Sequence, residues 1–85
     1  MTGQLSDRDR FCCQVAERLA NNALKCMHLA HDDQQTTGEK TVWLLTSADL
    51  YSQAAYAIPY REVKENYLWL AHGLLLESGV TVTRH

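Results

Sequence analysis

The residues best equipped for chemistry crowd into Cys26-Met27-His28-Leu29-Ala30-His31-Asp32-Asp33. On a helix His28 lies one turn from both His31 and Asp32, and imidazole nitrogens with a carboxylate at that spacing can share one metal ion. A structural site of this kind takes four ligands and usually draws them from more than one element. Here no His-x-x-His partner motif occurs, and His72 and His85 are the only histidines left to complete the set. The competing reading places His28 and His31 at the carbonyl end of a helix, where positive charge is favoured. It is the reading we adopt: no metal and no cofactor are expected, and a metal- or cofactor-binding cluster of His28, His31 and Asp32 is kept as the alternative.

The three cysteines offer a second chemistry. A nucleophilic thiolate needs a cation or a helix N-terminus beside it, whereas Cys12 and Cys26 fall on the apolar side of a helical pattern and Cys13 near its rim. Free cysteine on such a face behaves as a small hydrophobe. Nor does the sequence contain a Gly-rich phosphate loop, a nucleophile elbow or a paired-carboxylate arrangement, so the chain is expected not to be an enzyme. Three is an odd number of cysteines and two of them are adjacent, which draws no disulfide framework. A reduced, cytoplasmic setting is the expectation, in keeping with an N-terminal stretch that has neither a basic nor an apolar signal region.

Charge narrows the partners further. The 85 residues carry a net charge of −2 with histidines neutral, and no lysine or arginine follows another directly, so the basic patch of a phosphate-binding surface is missing. Direct nucleic-acid binding is not expected. Apolar residues make up 46% and charged residues 21% of the chain, the balance of a folded domain, and the length suits a single domain over 1–85 with a small core.

The elements that position these residues read as three helices. Ser6 before Asp7, Arg8 and Asp9 is a helix start, with a side-chain oxygen for the free N–H groups and carboxylates at the positive dipole end. The first helix then runs over about 7–31, with Cys12, Ala16, Leu19, Ala20, Ala23, Met27 and Ala30 on one face and Cys26 at its edge. That face is made chiefly of small residues, which lets a neighbouring helix approach closely. Thr36 with Glu39 reads as a capping box and opens a second helix over about 38–57, whose apolar side carries Trp43, Leu44, Ala48, Leu50, Tyr51, Ala54, Ala55 and Ile58. Pro59 ends it and suits the first turn of a third helix, over about 60–78, with Gly79 as a left-handed cap. The fold class is therefore all-α, a three-helix bundle-like domain with a possible short C-terminal strand. A rival reading pairs β-prone Val42–Leu45 with Val80–Thr83 in a small sheet.

The third helix contains the most apolar decade of the chain, Tyr67 to Leu76, broken only by His72 and Gly73. At about 100° per residue, Val63, Tyr67, Leu70, Ala71 and Leu74 form one stripe, widened by Leu68 and Leu75. Trp69 and Leu76 lie on the far side with His72 between them and Glu65 at the edge. A membrane span needs about 20 apolar residues, so no membrane contact is expected and the second face must be covered by protein. Gly73 in mid-helix costs about 1 kcal/mol relative to alanine, which suggests that a partner backbone passes near it; the alternative is a glycine that the helix simply tolerates. These features lead to a small non-catalytic protein–protein interaction regulator of the inhibitor, antirepressor or adaptor type. It would bind a larger protein and block or redirect it, with Trp69, Leu76, His72 and Glu65 as the partner or dimer interface. Small scaffolds without disulfide or metal often gain their missing burial by oligomerising, and a homodimer is the expected assembly.

Overall fold

In the computed structural model, which describes residues 6–79, the chain forms three helices: α1 (Asp7–Ala30), α2 (Thr37–Ala57) and α3 (Arg61–Ser78). Their ends follow from local chemistry. Ser6 Oγ accepts the Asp9 N–H at 3.1 Å and opens α1. The same helix closes where the His31 N–H is shared between the Met27 and His28 carbonyls at 3.2 Å. Asp32 Oδ1 then takes the Gln34 N–H at 2.9 Å, the side-chain turn that keeps a short connection polar and tight. In the capping box of α2, the Glu39 N–H donates to Thr36 Oγ1 at 3.1 Å and the Thr36 N–H to Glu39 Oε1 at 2.9 Å. Gly79 ends α3 at φ 75°, a left-handed conformation that costs a residue with a side chain about 1–2 kcal/mol.

The β-prone stretch at the start of α2 is helical throughout. Thr41 and Thr46 donate their hydroxyls to the Thr37 and Val42 carbonyls at 3.1 and 2.8 Å, so these β-branched residues satisfy themselves within the helix. Tertiary burial of Leu44 and Ala48 outweighs a strand propensity worth at most about 1 kcal/mol. The expected partner strand, Val80–Thr83, lies outside the described residues.

Packing is organised by α2. Its residues Leu44, Ser47, Ala48, Tyr51, Ala54 and Ala55 are buried, as is Ile58 at its C-cap, and their 3–4 spacing makes one continuous stripe. One side of α2 receives α1 and the other α3, while α1 and α3 meet each other only lightly. The helices α1 and α2 form an antiparallel pair, and α3 lies beside α2 rather than across the pair. The molecule accordingly measures 52 × 33 × 15 Å, broader than it is thick.

Small side chains set the closeness of the α1–α2 contact. Ala16 and Ala23 of α1 and Ala54 of α2 are fully buried, and Ser47 Oγ reaches across to donate to the Ala23 carbonyl at 2.6 Å. A hydroxyl on a β-carbon can touch the backbone of another helix only where the two axes pass close together. The α2–α3 side is filled by larger groups, with Tyr51 and Tyr67 ring centres 6.0 Å apart and Leu74 and Ala71 buried beside them.

Candidate interaction surface

Because α2 is its principal neighbour, α3 covers one side and leaves the other open. The inner side holds Ala71 and Leu74 buried, with Val63, Tyr67, Leu68 and Leu75 half-buried. The outer side holds Trp69 at 74% and Leu76 at 68% exposure, with Glu65, His72 and Gly73 exposed beside them. The four interface residues expected from the sequence are therefore brought onto one open strip, at the 4-3-4 spacing of 65, 69, 72 and 76. Leu70, assigned to the buried stripe, is 43% exposed. It sits at the margin of that stripe, and with α1 meeting α3 only lightly no second helix closes over it. It adds apolar surface to the flank of the open face.

Charge gathers at the N-terminal end of this strip, where Glu62, seven residues before Trp69, is exposed beside Glu65. Arg61 and Glu65 form an i, i+4 ion pair at 3.3 Å, both highly exposed, a contact worth about 0.3–0.5 kcal/mol at most. Gly73 lies between Trp69, Leu70 and Leu76 along the helix, and a β-carbon built there would meet nothing within 4 Å. Among the described residues, nothing outside the neighbouring turns of α3 uses the gap.

The members of the histidine cluster meet different partners. His31 Nε2 stands 2.5 Å from Glu77 Oε2, which ties the carbonyl end of α1 to that of α3. Asp32 is occupied with its turn, and His28 points to solvent. Among the described residues no group of three or more His, Cys, Asp or Glu side chains is placed to hold a metal ion. All three cysteines are free thiols; burial pushes the Cys26 thiol above its ordinary pKa, which disfavours the thiolate.

Six further large apolar side chains are exposed: Leu24, Leu29 and Tyr60 at 40% each and, more fully, Phe11 on α1 and Val42 and Tyr56 on α2. The sequence carried the signal for the last two, since the helical step places them on the same arc as Thr46, Asp49 and Gln53. Val42 and Tyr56, 14 positions apart in sequence, stand about 21 Å apart along the helix. Val42 lines a shallow open depression with Gly38, Glu39 and Trp43. On the α3 strip, by contrast, Trp69 and Leu76 are only two turns apart.

No described helix is long and apolar enough to cross a membrane. Compared with protein-family models, with curated proteins and with solved structures, the chain finds no match.

Proposed function

We propose that this chain is a small non-catalytic regulator that acts by binding a larger protein through the outer face of α3, and so blocks or redirects it. The reading rests above all on the exposure of Trp69 and Leu76 on a helix whose other side is already seated against α2. An aromatic side chain of this size buries 150–250 Å² when covered. With Leu76 and Leu70, Trp69 leaves roughly 350–400 Å² of apolar surface in water, about 9–10 kcal/mol gross at 25 cal/mol per Å². Most of that is consumed by the entropy of association; the remainder suffices for a moderate, reversible contact.

Tryptophan at the centre of an apolar patch is the commonest kind of binding anchor, and the neighbouring polar groups His72 and Glu65 suit the rim of such a site. A reduced, cytoplasmic setting would keep the cysteines as the free thiols they are here. The test is affinity purification from the native host of wild type beside Trp69→Ala, with mass spectrometry of whatever co-elutes and circular dichroism on both. The proposal expects a defined larger protein that is retained by wild type and lost with Trp69→Ala at unchanged helicity. Equal recovery by both proteins would overturn it.

A further inference from the structure

We infer that the outer face of α3 also pairs with the same face of a second copy of this chain, antiparallel about a two-fold axis, with Trp69 of each protomer seated over Gly73 of the other. The inference rests on the reading of this face as an interaction surface and names its first partner.

Gly73 is the starting point. Its backbone is not in the positive-φ region, since Gly79 alone among the described residues occupies it. Among the described residues, nothing beyond its chain neighbours and the adjacent backbone of α3 lies within 4 Å of where its β-carbon would be. Neither conformation nor internal packing therefore requires glycine, although its presence in mid-helix weakens the helix. What glycine does provide is a notch on the outer surface. Trp69, His72, Gly73 and Leu76 stand at i, i+3, i+4 and i+7, the outline of the four-residue hole into which a helix–helix contact inserts a side chain. A missing β-carbon at one corner deepens that hole enough for a large ring.

The matching knob is on the same helix, one turn away. A two-fold contact requires a self-complementary patch, in which residue i meets j and j meets i. For antiparallel α3 helices, an axis at the level of residue 71 brings each Trp69 opposite the middle of the other's 69/72/73/76 outline, so both insertions happen together. Area sets the strength of this arrangement. Trp69 and Leu76 expose roughly 300 Å² per protomer, about 600 Å² for the pair before the polar rim of His72 and Glu65 is added, which is the size of a weak, transient contact. The dimer is accordingly weak and exchangeable, and the face it covers can be surrendered to a larger target.

Sedimentation velocity on wild type, Gly73→Leu and Trp69→Ala, from low to high micromolar loading with circular dichroism on each, tests the pairing. Leucine at 73 fills the notch, meets open space within its own chain, and favours the helix. Wild type should show a monomer–dimer equilibrium that both variants weaken by roughly 30-fold or more, the effect of losing a binding anchor. Should Gly73→Leu lose helicity, Trp69→Ala carries the comparison. A wild type that stays monomeric at every loading overturns the self-pairing, while the capture experiment with Trp69→Ala still decides the target surface. A dimer left intact by the variants overturns it too, by placing the contact elsewhere.

Discussion

The close α1–α2 contact makes Ser47 the most informative position for stability. Its side chain is fully buried, and its hydroxyl donates to the Ala23 carbonyl at 2.6 Å. In Ser47→Ala that carbonyl keeps its helical partner, so no buried donor is stranded. The loss is that of one net hydrogen bond, about 1 kcal/mol, or about 4–8 °C in Tm for a domain of this size. Ser47→Val removes the same bond and also forces two methyl groups against the α1 backbone, an overpacking that typically costs about 1–3 kcal/mol. The valine variant should therefore be destabilised by about 2–4 kcal/mol, a large part of the stability a small domain has to lose. Urea unfolding followed by circular dichroism, with equal slopes for the three proteins, reads both numbers. The reasoning fails if Ser47→Val unfolds at the same urea concentration as Ser47→Ala, because the two helices then leave room for the extra methyls.

Other expectations follow from the ends of the helices and from the thiols. Thr36→Ala should cost about 1 kcal/mol by breaking the cap of α2, measured by the same urea series. The Glu39 carboxylate accepts the Thr36 N–H, which lowers its pKa below the ordinary 4.5. Its contribution is thus complete above the unfolded pKa and disappears as pH falls through the lowered folded value, so the first turn of α2 should fray in acid and be indifferent to pH near neutrality, as amide chemical shifts of residues 36–40 would show. Gly79→Ala should cost about 1–2 kcal/mol because alanine is strained at φ 75°. Cys26, buried and with a raised pKa, should be the last thiol alkylated by iodoacetamide in the native protein; peptide mapping that finds it first would contradict its placement.

Element boundaries were legible because their causes are local. Ser6, Thr36 with Glu39, Pro59 and Gly79 each act within a few residues, and the observed ends fall within a residue of those the sequence implies. The division of α3 into two faces was legible for the same reason, since a fixed angular step needs no knowledge of neighbours. Which helices touch was not. Leu70 looked buried because the periodicity places it beside Val63 and Tyr67, and only the central position of α2, with α1 on its far side, leaves Leu70 partly uncovered. Ser47 is the converse case. A serine in a helical pattern reads as surface or cap, and its burial depends on a carbonyl 24 residues away. The 28/31/32 cluster also turned on a distant residue, because Glu77 engages His31 from another helix.

The central claim is that Trp69 is open to water in the free chain and becomes covered on association. Trp43 is half-buried and is the only other tryptophan, so Trp43→Phe leaves Trp69 as the sole indole reporter. Emission from this variant, recorded across protein concentration and then with any captured partner added, measures the claim directly. Solvent-like emission at high dilution that shifts to the blue as protein or partner is added is the predicted result. Emission typical of a sealed core at every dilution, or a solvent-like spectrum that no concentration or partner moves, would contradict it.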